Sequence, residues 1–277
     1  MTRLLKLSKE NSSAIISRRG AFVNSLTLDG RDILKGSTDG KQTHGGLSVL
    51  IPYADIVSNA SYRFKGRKYS LPKNAGYEGD FKNSLHGLVI DKPWNIIFRN
   101  DEMIELKFIL AKHYFPSVLS VVVRYKIGNS KFDTSFRIKN IGSNDAPLMC
   151  GSHPYFLFHG YWKFKFSDPI VQLNKTESQV ITTKRIISDS ITSFGRKQYD
   201  NAYFGGGKVE FLTKGIRLII QRINMPFFEI YNGIYSEMRS VAFEPLTGAP
   251  NCYNNGMGLK ILRKGEEFKC GFSITSV

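Results

Sequence analysis

Val121-Val122-Val123-Arg124-Tyr125-Lys126-Ile127, then Gly128-Asn129, then Ser130-Lys131-Phe132-Asp133-Thr134-Ser135-Phe136-Arg137-Ile138 is the stretch whose reading decides the fold. Each half sets apolar against polar side chains with a period near two, which is the signature of an extended chain with one buried face. Glycine and asparagine at the junction tolerate the positive φ of a tight turn. With Gly128-Asn129 as that turn, Tyr125 pairs with Phe132, Val123 with Thr134 and Val121 with Phe136. One face stays mostly apolar, as a half-buried antiparallel sheet requires.

The same pattern recurs outward from this hairpin. Asp29-Gly30 joins two short strands and sets Leu26 opposite Ile33. Lys65-Gly66 joins Tyr62-Arg63-Phe64 to Arg67-Lys68-Tyr69, which pairs Tyr62 with Tyr69. Further β-rich runs are Met103 to Leu110, Val209 to Leu212, Ile216 to Ile220, Phe227 to Tyr231, Ser240 to Phe243 and Phe268 to Ile274. Asn174 to Asp200 is polar and reads as loops with short strands. No dozen-residue window carries an apolar stripe at helical spacing. Many short strands with Gly and Asn turns make an all-β protein, a large antiparallel β-sandwich, and residues 1–277 read as a single domain.

Composition narrows the function classes. The 277 residues suffice to bury a large core without metal or disulfide, and 42% are hydrophobic, which excludes wholesale disorder. No apolar run approaches a membrane helix, and Met1 to Asn11 lacks the apolar core of a secretory leader. The three cysteines, Cys150, Cys252 and Cys270, form no Cys-x-x-Cys pair, so a cytoplasmic, reducing location is expected. The net charge of +16 would attract anions, but Lys and Arg are scattered, and nucleic acid is not an expected partner.

Metal, serine-hydrolase and phosphate-loop motifs are absent from the sequence. His44, His86, His113, His153 and His159 form no His-Glu-x-x-His pattern, and no Gly-x-Ser-x-Gly or Gly-Lys-Ser/Thr loop occurs. Gly205-Gly206-Gly207 reads as a turn rather than an anion cradle. Three constellations remain: Asn83-Ser84-Leu85-His86-Gly87, Gly151-Ser152-His153-Pro154-Tyr155-Phe156, and Phe243-Glu244-Pro245-Leu246-Thr247 with Asn251 and Asn254. Each has a plain alternative, such as a histidine satisfying backbone carbonyls or a glutamate ending a strand at the surface. Together, a histidine and a glutamate across one pocket can serve as acid and base in one turnover.

In this order along the chain, the motifs resemble those of the aldose 1-epimerase (mutarotase) family. The matching residues are Phe64-x-Gly66-x-x-Tyr69-x-Leu71, Leu85-His86-Gly87, His153-Pro154-Tyr155-Phe156, Tyr199-Asp200, Glu244-Pro245-x-Thr247 and Gly258-Leu259-x-x-Leu262-x-x-Gly265-Glu266. The resemblance implies a galactose mutarotase-like sandwich that interconverts α and β anomers of a free aldose with no metal and no cofactor. It assigns His153 as general acid, Glu244 as general base, His86 as a second pocket histidine and Asp200 as a carboxylate for sugar hydroxyls. His153 must then be protonated while substrate is bound, and a carboxylate beside it would raise its pKa and help meet that demand. Tyr155, Phe156, Tyr231 and Trp94 are the aromatic candidates for a platform under the sugar ring.

One departure concerns the substrate. The family commonly has Asn-Arg where this chain has Asp55-Ile56. Asp55 can accept hydrogen bonds from sugar hydroxyls but cannot donate as an amide does. Either another cation, such as Arg63 or Arg67, takes the place of the missing guanidinium, or the sugar lies differently. A sugar phosphate as substrate, or a non-catalytic sugar-binding protein of the same fold, are the competing readings. The expected partner is a small-molecule sugar, with no membrane, and the protein would be a monomer or homodimer.

Overall fold

The computed structural model describes residues 4–76, 79–175, 181–187, 189–194 and 197–277. Its strands form two large antiparallel sheets. The first, of 11 strands, runs Leu4–Lys9, Ser12–Ser17, Val23–Leu28, Leu47–Leu50, Gly151–Leu157, Ser240–Leu246, Phe227–Tyr231, Asp200–Gly205, Ile170–Lys175 and Ile181–Ile187, with Arg31–Asp32 paired beside Val23–Leu28. The second, of nine, runs Asn95–Arg99, Met103–Leu110, Leu119–Ile127, Lys131–Asn140, Glu267–Ser276, Ile216–Ile223, Val209–Thr213, Trp162–Phe166 and Ser190–Ser193. Among the described residues the only α-helix is the single turn Cys252–Asn255.

Side-chain alternation explains how the sheets meet. On Gly151–Leu157, Phe156 faces inward and stacks near Phe211 of the second sheet, 5.4 Å between rings. On Ser240–Leu246 the inward residue is Phe243, 5.1 Å from Phe164. On Phe227–Tyr231 it is Phe228, 5.4 Å from Phe166. Burying these rings removes a large apolar area from water, and aromatic pairs at such distances add about 0.5–1.5 kcal/mol each beyond that. Glu244 and Glu229, one position from Phe243 and Phe228, and His153, three positions from Phe156, therefore point to the other side of the first sheet.

The hairpins anticipated from turn residues form. Thr27 pairs with Asp32 and Leu28 with Arg31, the register that sets Leu26 opposite Ile33, and the Ile33 N–H donates to the Leu26 carbonyl at 2.9 Å. Tyr62 pairs with Tyr69, their rings stacked at 5.2 Å. The deciding hairpin forms with a shifted register: Tyr125 faces Thr134, Val123 faces Phe136 and Ile127 faces Phe132. Gly128 donates to the Lys131 carbonyl at 2.7 Å, so Asn129-Ser130, not Gly128-Asn129, makes the turn. A shift of two leaves the same residues on the buried face, so alternation alone could not separate the registers. Tyr125 and Phe132 still stack, now diagonally, at 5.6 Å.

Two further readings are refined. The polar segment from Asn174 contains the strand Ile181–Ile187 and the strand Ser190–Ser193, while residues 176–180, 188 and 195–196 lie outside the described residues. The turn Gly205-Gly206-Gly207 has φ of 95°, 89° and 53°, which only glycine adopts without strain. Its carbonyls face a cation: Arg222 donates to Gly205 O at 2.6 Å and to Gly207 O at 3.2 Å. That arrangement is a structural lock and presents oxygen, not N–H groups, so it is no anion cradle.

Candidate active site

Three strands from distant parts of the chain build the centre of the site. The sheet register aligns Ser48, His153, Glu244, Glu229 and Ala202 across five adjacent strands. His153 Nε2 lies 3.0 Å from Glu244 Oε1, and both side chains are almost wholly buried, at 5% and 3% exposure. One row along, Tyr155, Ala242, Tyr231 and Asp200 align in the same way and share that face. Tyr155 stacks on the His153 ring at 4.7 Å, and Tyr231 meets it edge-on at 6.2 Å.

His86 enters from outside the sheet. Ile56–Val57 pairs with Ser84–Leu85, and the chain then turns at His86-Gly87 with φ of 56° and 85°. Gly87 is obligatory there, because a Cβ would lie 2.4 Å from the Ile51 carbonyl oxygen. The His86 N–H donates to the Asp55 carbonyl at 2.9 Å, and its ring stands perpendicular to His153 at 5.4 Å. His86 also lines a groove of about 650 Å³ that continues past Leu88, Phe108 and Tyr114.

The predicted residues thus divide. His153, Glu244, His86 and Tyr155 converge, and Asp200 stands exposed at a register position on the same face, opposite Tyr231. Asp55 reaches the site through its backbone; its carboxylate lies on the side of Cys252, whose thiol is pushed up by burial and then by the Asp55 charge. Ile56 serves as the ladder partner of Leu85. Arg63 and Arg67 are exposed on the hairpin Ser61–Phe64 and Arg67–Ser70, and no described contact brings either to His153, Glu244 or His86. Trp94 is a core residue packed on Phe108 at 5.6 Å, and Phe156 belongs to the inter-sheet core, so neither is a platform. Glu244 does not end its strand at the surface; the strand continues through Pro245 to Leu246.

The sequence reading missed two residues. Glu229, 3% exposed, is the direct cross-strand neighbour of Glu244. Its signal was present, an acid inside the apolar run Phe227-Phe228-Glu229-Ile230-Tyr231, the same anomaly that singled out Glu244. The other is Lys35, whose buried ammonium is bound by the carbonyls of His44 at 2.9 Å and Tyr235 at 3.0 Å and by Glu237 at 2.9 Å. It ties the segment carrying Thr43 to the segment carrying Tyr235. The Tyr155 hydroxyl donates to Thr43 O at 2.8 Å, so this clamp backs the ring that stacks on His153. The Lys35 contact holds the Glu237 carboxyl at about 2.

The protonation of His153 differs from the expectation. The carboxylate is in place, yet burial of the imidazole, and then the neighbouring His86, hold the pKa well below the ordinary 6.5. Burial therefore favours the uncharged imidazole of His153 near neutrality. His44 is shifted the same way, chiefly by burial. As pH falls through 6.5, the unfolded chain takes up protons at these positions before the folded chain does, so stability is present above that pH and declines below it. Thermal unfolding is expected to show a lower midpoint at pH 5 than at pH 7.5. His153→Gln should flatten part of that slope, by up to about 1.4 kcal/mol per pH unit for one histidine. An unchanged slope would remove His153 as its source.

Comparison with known proteins bears on the family and the fold. The family model for aldose 1-epimerase matches residues 3–275. An uncharacterized Escherichia coli K12 protein, YihR, is 24% identical over 244 residues, 82% of this chain and 77% of its own length. Among solved structures, a GalM/aldose epimerase homologue from C. elegans superposes with a TM-score of 0.83 at 15% identity, covering 100% of this chain and 99% of that one. A galactose mutarotase-like protein from Clostridium acetobutylicum gives 0.83 at 16% identity, covering 100% and 95%. At such identities the structural likeness establishes the fold, and the match along almost the whole sequence establishes the family: this chain belongs to the aldose 1-epimerase family.

Proposed function

We propose that this protein interconverts the α and β anomers of a free aldose by acid/base opening and reclosure of the sugar ring. The observation that carries this reading is the buried His153–Glu244 contact of 3.0 Å. O1 and O5 of a cyclic aldose are bonded to the same carbon. The base that takes a proton from O1 and the acid that gives one to O5 must therefore converge on one anomeric centre, each within hydrogen-bond reach of its own oxygen.

In the proposed reaction the sugar's anomeric edge replaces the mutual contact of the two side chains. Glu244, ionised, removes the O1 proton while His153 protonates O5, and the ring opens to the aldehyde. In the complex the ring oxygen O5 accepts from the protonated imidazole, and the nearby ionised Glu244 favours that charged form. Rotation about C1–C2 presents the other face of the carbonyl. His153 then takes back the O5 proton, Glu244 returns its own to O1, and the ring closes as the other anomer. Tyr155 supports His153, His86 hydrogen-bonds the sugar, and Asp200 accepts from sugar hydroxyls. Two such groups, each worth about 10²–10⁴-fold, are adequate for a reaction that already proceeds slowly in water.

Polarimetry or proton NMR of freshly dissolved α-glucose and α-galactose tests this directly, and faster approach to anomeric equilibrium with protein present is expected. Acceleration confined to glucose 6-phosphate would move the substrate class to sugar phosphates. No acceleration with any of the three would reject the assignment.

A further inference from the structure

We propose that the groove starting at His86 is a subsite for the second sugar unit of a saccharide whose reducing end sits at His153 and Glu244. His86 belongs to both places: its ring stands 5.4 Å from that of His153, and it lines the groove of about 650 Å³. The other walls come from residues within 72–74, 85–92 and 108–114, away from the strands that carry His153 and Glu244. A single hexose needs about 200 Å³, the room of six or seven waters at roughly 30 Å³ each, so the groove has space for a further ring. The reaction requires a free O1. Whatever fills the groove is therefore joined to the first ring through one of its other hydroxyls.

The lining identifies the occupant by its chemistry. Leu88, Phe108 and the buried Leu110 supply apolar surface, and Tyr114, 39% exposed, adds an aromatic ring. Asp91, Lys92 and His113 line the same groove and are exposed. A pyranose offers both matching surfaces: C–H bonds that pack on apolar and aromatic side chains, and hydroxyls that take polar partners. A phosphate is disfavoured, because the Lys92 ammonium already pairs with Asp91 at 3.0 Å. A purely apolar group would give the polar side chains no role. Asn74 anchors the wall: its side chain accepts from the Leu85 N–H at 2.7 Å and donates to the Leu85 carbonyl at 2.8 Å, one residue before His86.

This inference rests on the proposed function, and its test separates the two. Anomer exchange followed by proton NMR should give a kcat/KM at least tenfold higher for one of maltose, lactose and melibiose than for glucose, the reducing unit of all three. Tyr114→Ala should cut kcat/KM for that disaccharide at least fivefold more than for glucose. Disaccharides no better than glucose, or a Tyr114→Ala loss equal for both, would overturn the proposal. So would 6-O-benzylglucose used as well as the best disaccharide, which would give the groove to an apolar substituent. The 1,5-anhydro forms of the same sugars lack O1 and cannot open, and they provide a readout independent of turnover. By calorimetry an anhydro disaccharide should bind at least tenfold more tightly than 1,5-anhydroglucitol, with the gain lost in Tyr114→Ala. Equal binding refutes the subsite. A Tyr114-dependent gain with no turnover of any sugar upholds the subsite and rejects the acid/base reading instead.

Discussion

Glu244→Gln is expected to slow anomer interconversion by about 10²–10⁴-fold, the usual contribution of one general base. The substitution keeps the shape of the side chain and a hydrogen-bond partner for His153, and removes only the ability to accept a proton from O1. Because Glu244 lies within a fully buried strand, with Phe243 before it and Pro245 after it, the amide stays where the carboxylate was. The loss should therefore fall in kcat, with KM nearly unaltered, since the group acts in the transition state rather than in binding. His153→Ala should lose a comparable factor, and the double substitution should cost little more than either single one, because acid and base serve one concerted exchange. Polarimetry with α-galactose at fixed pH is sufficient to measure all three. Unaltered turnover in Glu244→Gln would move the base to another side chain.

Phe164→Ala is expected to destabilise the fold by about 3–5 kcal/mol, measured by denaturant unfolding. Phe164 is fully buried between the two large sheets, with Phe211 and Phe243 each at 5.1 Å and Trp162 at 5.6 Å. Rings held from both sides by β-strands cannot collapse into the vacated space, so a cavity adds its own cost to the lost burial. The functional consequence is specific. Phe243 precedes Glu244 on the same strand, and loosening its packing lets the strand shift beneath the pocket. A small displacement of Glu244 from its 3.0 Å spacing to His153 should reduce kcat in the variant even under conditions where it remains folded. A loss of stability below about 1 kcal/mol would show that the sheets repack across the gap.

The legible part of the fold was local. Asp29-Gly30 and Lys65-Gly66 set their hairpins and registers because a two-residue turn leaves the strands no freedom to slide. Gly128-Asn129 misplaced its turn by one residue, since the strands it joins keep the same buried face in either register. For the site, His153, Glu244 and His86 could be picked out as polar residues set in apolar or glycine-bounded runs. Glu229 carried the same signal in Phe227-Phe228-Glu229-Ile230-Tyr231 but gained meaning only when its strand proved adjacent to that of Glu244. Lys35 had no signal at all, because its partners are a backbone carbonyl at His44 and, from a segment far along the chain, the Tyr235 carbonyl and Glu237.

Side-chain alternation and turn chemistry, both short-range, determined from the sequence alone that this chain is an antiparallel sandwich, and the order of its motifs indicated the family. Which strands become neighbours was left to tertiary structure, because strand pairing is selected by the packing of whole faces rather than by any neighbouring residue. That choice placed Leu47–Leu50, Gly151–Leu157, Ser240–Leu246 and Phe227–Tyr231 side by side. It thereby set the imidazole against one carboxylate, set a second acid beside that carboxylate, and removed all three from water. The protonation of His153 followed from that burial, against the direction its carboxylate neighbour alone would suggest, because desolvation is a property of the folded surroundings and not of the residue.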